Sequence, residues 1–387
     1  MEFWWLFFMT SCSMMWFIYY LPAKYNIFTI RISVTLLIFI SGLRYYIGTD
    51  YPTYVMFFNE YSAGAIFAAM NDGLEPAISI IISFLGLLGG TFQLMFLLYS
   101  FIIIGGYYYG CRVFIGNNCY ILILSVLLYV TYNSAGGFWW GMNAIRQAAA
   151  MSIALISSKY LISDENVKFI FGIFIAAMFH YSALVFLPAL YLRKVHVERR
   201  TALWLVAISV VLTISGLSKN IVLNILAFSL GIIGKYESAL ALISSGDKSF
   251  SYMSLVYVAM YLFSLYECKN NDRSYFKIIY NLSIVFIIMR VLTSFSLGGP
   301  SIQYILHRFE VYYLPFFLIY SAYGLYIFAS KIKPFWMGLV TVTLFIIMLS
   351  YLSIINIAKI GGDSSYPLPP DYPGQNIEYD ANFNLIE

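Results

Sequence analysis

The chain has 387 residues, of which 61% are hydrophobic and only 10% are charged, and its formal net charge is +4 at pH 7. A soluble globular domain contains about 45–50% apolar and about 25% charged residues, so this composition excludes a soluble enzyme, a disordered protein and a nucleic-acid-binding domain. Apolar runs of about 20 residues recur along the chain and predict an all-α, polytopic integral membrane protein.

These runs predict about twelve transmembrane helices, with a range of about 10–14. We place them at 3–21, 27–43, 92–110, 119–133, 143–162, 168–191, 201–217, 219–234, 251–267, 274–293, 309–329 and 334–356. A further apolar segment at 76–89 is short and ends at a glycine pair, which indicates a re-entrant or tilted helix. The predicted organisation is a single transmembrane domain over 1–356, with an outward loop at 44–75, and a polar extramembrane tail over 357–387.

The distribution of charge predicts the orientation of the chain. The positive-inside rule places Lys24 and Arg31 in the cytoplasm and the acidic loop 44–75 outside. Two topologies follow, because segment 76–89 either crosses the membrane or does not. We prefer the topology without that crossing, because it gathers the unusual polar residues on one outward face.

Polar and ionisable side chains inside apolar runs are the first candidates for a functional site, because a charge at membrane depth costs about 3 kcal/mol or more. Asn143, Arg146 and Gln147 stand at i, i+3 and i+4, so a continuous helix would present them on one face. The alternative for Arg146 is an interfacial anchor whose guanidinium reaches the headgroups.

His180 lies inside an apolar run, roughly 15 Å from the end of that run along a helix. It is either a base at the floor of a water-filled cavity or a neutral side chain that hydrogen-bonds a neighbouring helix. Arg290 and Arg308 flank a connection that contains Gly298-Gly299-Pro300. These two arginines either cradle a phosphate group together with that turn or anchor two helices at the interface.

The segment that begins at Gly42 and includes Arg44, Asp50 and Tyr54 resembles the signature loop of the EpsG family, G-L-R-Y-x-x-G-T-D-Y-x-x-Y, at every fixed position. Four later segments resemble further motifs of that family. Glu75-Pro76 resembles its E-P motif, and residues 143–147 resemble its N-x-I-R-Q motif. Residues 179–184 resemble its F-H-x-S-A-L motif, and residues 308–313 resemble its R-x-x-x-Y-F motif, with tyrosine at the last position.

This resemblance implies a Wzy-type polymerase of O-antigen or exopolysaccharide repeat units in the bacterial inner membrane, with its active site facing the periplasm. The implied substrates are undecaprenyl-pyrophosphate-linked oligosaccharides. A hydroxyl of one substrate attacks the anomeric carbon of the other, and undecaprenyl pyrophosphate leaves. The implied partners are this lipid-linked oligosaccharide, membrane lipids and a chain-length regulator protein, with no nucleic acid.

A leaving pyrophosphate needs cations, and arginine binds phosphate oxygens bidentately while it stays charged. The sequence has no acidic pair or histidine cluster suited to a metal, so we expect neither a metal nor another cofactor. The expected base is His180, with Asp50 as second choice. The expected substrate- and pyrophosphate-binding residues are Arg44, Asn143, Arg146, Gln147, Arg290, Arg308, Tyr51 and Tyr54, of which the tyrosines would stack on sugars.

Two other functions stay open at this point. A flippase for lipid-linked oligosaccharides would also bind pyrophosphate, but it needs no base and should carry matched polar residues in two related halves. A membrane acyltransferase that modifies the polysaccharide would also use a histidine within a span. Loss of the polymerase leaves single-repeat lipids outside, loss of the flippase leaves them inside, and loss of the acyltransferase leaves full-length chains without acyl groups.

Overall fold

The computed structural model describes residues 23–45, 47–48, 50–62, 64–132, 136–215, 252–268, 274–294 and 308–360. All regular elements in these ranges are helical and none is a strand, which confirms the all-α prediction. The predicted spans 3–21 and 219–234, the Gly298-Gly299-Pro300 turn and the tail from residue 361 lie outside the described residues.

The described helices are numbered in chain order. They are α1 Ala23–Gly42, α2 Tyr51–Tyr61, α3 Ile66–Asn71, α4 Pro76–Leu87, α5 Phe92–Ser100, α6 Gly106–Ile115, α7 Cys119–Thr131, α8 Phe138–Asn143, α9 Ile145–Ser157, α10 Lys159–Ile162, α11 Asn166–Phe179, α12 Ala189–Leu192, α13 Arg199–Ile214, α14 Tyr252–Glu267, α15 Ser274–Ser294, α16 Leu314–Lys331 and α17 Phe335–Ile360. A π-helical turn, Phe101–Gly105, joins α5 to α6, and a 3₁₀ helix, Tyr181–Phe186, lies between α11 and α12.

Helix length and hydropathy decide which of these elements are able to cross a membrane. In the described part of the chain, Phe92–Ile115 and Tyr275–Thr293 are long and apolar enough to cross. Seven shorter stretches are apolar but have 10–17 residues. The number of about twelve spans therefore stays a prediction. Helix α4 has 12 residues, about 18 Å, and is shorter than the hydrocarbon core of about 30 Å, as the sequence predicted.

Helix α9 lies at the centre of the first half of the fold. It packs against α6, α8, α11 and the π-helical turn. Ala148, Ala149 and Ala150 are fully buried in these contacts. Small side chains let neighbouring helices approach closely and gain van der Waals contact, which drives helix association in a membrane. The start of α9 is thereby held among several other helix ends.

Helix α16 lies at the centre of the second half of the fold. It packs against α7, α14, α15 and α17, and every residue over 314–325 is buried. A helix that is apolar on all sides needs such a surrounding. The first residue of α16 follows the segment that carries Arg308, so the packing of α16 also positions that arginine.

The predicted span 168–191 is not one helix. Helix α11 ends at Phe179, and His180 adopts an extended backbone with φ −161° and ψ 121°. The imidazole Nδ1 of His180 accepts a hydrogen bond from the Ser182 backbone N–H at 3.3 Å. A side chain that bonds the local backbone competes with continuation of the helix, which explains the break.

Close contact between α9 and α11 generates a stability prediction. A methyl group added at Gly172 of α11 would lie 2.6 Å from Cβ of Ser157 on α9. We therefore expect Gly172→Ala to lower the free energy of unfolding by about 1–3 kcal/mol through overpacking. Unfolding of purified protein in detergent measures this.

The matched control is Gly105→Ala, because a methyl group there would meet Ile38 at 3.8 Å, an ordinary contact distance. We expect this variant to unfold like the parent protein. Equal stability of the two variants would show that the α9–α11 contact has room for the added methyl group.

Candidate functional site

The centre of the site is an ion pair between the starts of two helices. Nη1 of Arg146, in the first turn of α9, donates to Oε2 of Glu75, which directly precedes α4. The guanidinium also lies 5.9 Å from the centre of the Tyr54 ring. The side chain of Glu75 is 7% exposed and that of Arg146 is 28% exposed, so the arginine is the more accessible partner. Glu75 stands at the N-cap position of α4, but its side chain makes no capping hydrogen bond there.

His180 lies beside this ion pair, and its tautomer follows from its contacts. Its Nε2 is 4.0 Å from Oε1 of Glu75. Its Nδ1 accepts from the Ser182 backbone N–H and lies 2.8 Å from the Ser182 hydroxyl. A backbone N–H only donates, so a neutral imidazole in this arrangement carries its proton on Nε2. The nitrogen that faces Glu75 is therefore a donor.

Gln147 joins the Arg308 segment to this cluster. Its side-chain amide donates to the Ser182 hydroxyl at 3.1 Å and to the Arg308 carbonyl at 2.5 Å. The Ser182 hydroxyl also lies 2.9 Å from the hydroxyl of Tyr312. Arg308 is partly exposed, and the bond from Gln147 holds its backbone beside the cluster. Gln147 is thus a structural bridge of the site.

Asn143 does not share a helix face with Arg146 as the spacing predicted. Helix α8 ends at Asn143, and Ala144, with φ −89° and ψ 58°, separates it from α9. The Asn143 side-chain oxygen accepts from the Asp50 backbone N–H at 2.8 Å. Gly48, with φ +108°, passes so close that a Cβ there would lie 3.2 Å from this oxygen. Asn143 therefore holds the loop 44–75 against α8.

Arg44 is part of the scaffold in this structure. Its guanidinium donates to the carbonyls of Ser41, Ile47 and Met142, at 2.7, 3.3 and 2.7 Å. It also lies 4.4 Å from the centre of the Phe96 ring. Burial lowers the pKa of Arg44 to about 10, so the side chain is still protonated at neutral pH. These bonds tie the signature loop to α8, and the predicted contact with pyrophosphate would require breaking them.

The two loop tyrosines are buried, in contrast to their predicted role in sugar stacking. Tyr51 is 1% exposed and stacks on Phe96 with ring centres 4.7 Å apart. Tyr54 is 3% exposed and interacts with Arg146. Neither ring presents an open face to a sugar here. Both rings contact Phe96 and fill the space between α2 and α5 instead.

Arg290 lies in the helix core rather than at an opening. Its Nη1 donates to Oε1 of Glu310 at 2.7 Å, and the two side chains are 3% and 0% exposed. The ring of Tyr257 lies 5.4 Å from the guanidinium carbon. The charge of Arg290 is therefore balanced by a buried carboxylate, which joins α15 to the segment before α16.

The comparison with protein families decides the identity of the chain. A model of the EpsG family matches residues 27–367. The chain belongs to the EpsG family. This is a Wzy-like polymerase family of membrane proteins, which indicates a polysaccharide polymerase of the glycosyltransferase type that acts on lipid-linked glycans. No curated protein and no solved structure matches this chain.

Three residues of the site in this EpsG protein were not among the predicted site residues. They are Glu75, Ser182 and Tyr312, which the structure connects to Arg146 or His180. Each falls within a segment that resembles an EpsG motif, and that position was the available signal. In the described ranges, no group of three or more His, Cys, Asp or Glu side chains is arranged to hold a metal ion.

The buried pair of Arg290 and Glu310 leads to a prediction about stability. Arg290→Met alone leaves a buried carboxylate without its counter-ion, which costs about 3–5 kcal/mol. The double variant Arg290→Met/Glu310→Leu removes both charges, and we expect it to regain most of that loss. Unfolding of the purified variants in detergent measures the difference.

The control is Lys168→Met, because Lys168 pairs with Glu165 and both side chains are exposed, at 61% and 38%. Exposed pairs contribute about 0–1 kcal/mol, so we expect little change. A double variant no more stable than Arg290→Met would mean that the two charges are not coupled.

Proposed function

We propose that this EpsG protein joins undecaprenyl-pyrophosphate-linked oligosaccharide repeat units into O-antigen or exopolysaccharide at the periplasmic face of the bacterial inner membrane. The observation that carries this proposal is the partly exposed cluster of Arg146, Glu75 and His180 at helix ends, to which Gln147 joins the segment of Arg308. Such a cluster offers cations for a leaving pyrophosphate and groups that exchange a proton with a hydroxyl.

Arg146 and Arg308 are the proposed pyrophosphate ligands, because both residues are partly exposed. The leaving group already carries negative charge and gains more as the glycosidic bond breaks. Guanidinium groups that hold its oxygens therefore bind the transition state more strongly than the ground state. Arg44 and Arg290 support this arrangement from within the fold, through their carbonyl and carboxylate partners.

The proton of the attacking hydroxyl is the second requirement. Glu75 pairs with Arg146, and its Oε1 lies 4.0 Å from Nε2 of His180. Asp50 lies at the start of α2 and interacts electrostatically with Tyr54, the ring beside Arg146. In this proposal the proton leaves through the Glu75–His180 pair, and Asp50, whose backbone N–H is bonded to Asn143, is the second choice.

The first test is polymerisation by purified protein in vesicles that contain lipid-linked repeat units. We expect the parent protein to form a ladder of chain lengths and Arg146→Lys to lose about 100-fold in rate, because lysine keeps the charge but not the bidentate fork. Arg112→Lys is the control, since Arg112 donates to Asn117 at an exposed helix end. A normal ladder from Arg146→Lys would identify Arg146 as an anchor only.

A second test concerns the metal. We expect polymerisation in EDTA at close to the untreated rate, because the proposed clamp neutralises the pyrophosphate with guanidinium groups. Metal-dependent enzymes commonly hold Mg²⁺ through one or two carboxylates and the substrate phosphates. Loss of activity in EDTA and its return with added Mg²⁺ would overturn the arginine clamp and direct attention to Asp50, Asp72 and Glu75.

A further inference from the structure

The contacts of His180 restrict what this residue offers to a substrate. The Ser182 N–H occupies Nδ1, so the proton of the neutral imidazole is on Nε2, the nitrogen 4.0 Å from Glu75 Oε1. An N–H group donates a hydrogen bond to a hydroxyl oxygen but does not accept its proton. In this arrangement His180 orients a hydroxyl, and another group has to act as the base.

Glu75 has the properties of that base. Its carboxylate is 7% exposed, and the two oxygens have different partners: Oε2 receives the guanidinium of Arg146, and Oε1 faces Nε2 of His180. Hydrogen bonds between oxygen and nitrogen or oxygen are about 2.8 Å long, so one hydroxyl oxygen is able to contact both Oε1 and Nε2 across a 4.0 Å separation. It would accept from Nε2–H and donate to Oε1.

We propose that Glu75 is the catalytic base of the polymerisation reaction and that Arg146 holds its carboxylate until a donor pyrophosphate binds. This inference rests on the proposed function. In the step, the hydroxyl O–H bond breaks and its proton passes to Oε1 of Glu75. The hydroxyl oxygen forms a bond to the anomeric carbon, and the bond from that carbon to the phosphate oxygen breaks, so the pyrophosphate leaves with the electron pair. The protonated carboxyl group then returns its proton to water.

The ion pair links this base to the donor. Arg146 is the more exposed partner, at 28% against 7% for Glu75, so an arriving pyrophosphate reaches the guanidinium first. When the guanidinium turns to the phosphate oxygens, Glu75 loses the cation that balanced its charge. Its carboxylate is then free to accept the proton of the attacking hydroxyl. The base is then available only when the donor is bound, which predicts ordered binding with the donor first.

The test compares kcat and the KM for the lipid-linked donor in parent protein, Glu75→Gln, His180→Gln and Glu267→Gln in vesicles. Glutamine at 75 forms hydrogen bonds but takes no proton, so we expect kcat to fall by about 100-fold or more. The KM for the donor should stay the same or fall, because no carboxylate competes for Arg146. For His180→Gln we expect kcat within about tenfold of the parent, because the amide still donates to the hydroxyl.

Glu267→Gln is the matched control, since Glu267 is also a buried glutamate in an ion pair, here with Lys331, and should keep the parental kcat. Parental kcat in Glu75→Gln overturns the proposal, and so does a raised KM with unchanged kcat, which would make Glu75 a positioning residue for Arg146. A 100-fold loss of kcat in His180→Gln also overturns the proposal. If Glu75→Gln does not accumulate, the kcat of His180→Gln is the measurement that tests the proposal. Absence of polymer from the parent protein would instead refute the proposed function.

Discussion

The ion pair between Arg146 and Glu75 is the interaction on which the site depends. Each charge stands at the start of a largely apolar helix, where an unpaired charge out of water is unfavourable. Their pairing fixes the start of α9 against the start of α4 and brings both close to the break at His180. The partial exposure of Arg146 leaves this pair open to exchange with an anionic ligand. The same contact therefore serves folding and the proposed chemistry.

Four arginines met the sequence criterion for phosphate binding, and burial separates them into two groups. Arg44 and Arg290 are 4% and 3% exposed and bind backbone carbonyls and a buried carboxylate. Removing such partners to bind a ligand would leave desolvated polar groups unsatisfied, which is costly. Arg146 and Arg308 are partly exposed. The difference lies in their surroundings, because all four have the same chemistry and all lie near helix ends.

The break at His180 illustrates the limit of periodicity as a guide. The apolar run over 168–191 is long enough for a single helix, but the contact between the Ser182 N–H and Nδ1 of His180 lies where the α-helix stops, and a 3₁₀ helix follows. That contact also selects the imidazole tautomer and turns Nε2–H toward Glu75. The extended backbone of this one residue, at the end of α11, thus changes the expected role of His180 from proton acceptor to hydrogen-bond donor. The helices without such a contact, such as α7 and α15, begin and end within a few residues of the predicted limits.

The sequence by itself determined the all-α class, the positions of most described helices and the EpsG family, because apolar runs and short motifs are local properties. It also identified Arg146, His180 and Arg308 as unusual residues in apolar surroundings. Only the tertiary structure decided that Glu75 pairs with Arg146, that Asn143 binds the Asp50 backbone, and that Tyr51 and Tyr54 are buried. The first two of these contacts join residues 71 and 93 positions apart. Their formation depends on how the helices pack, and no local spacing encodes that.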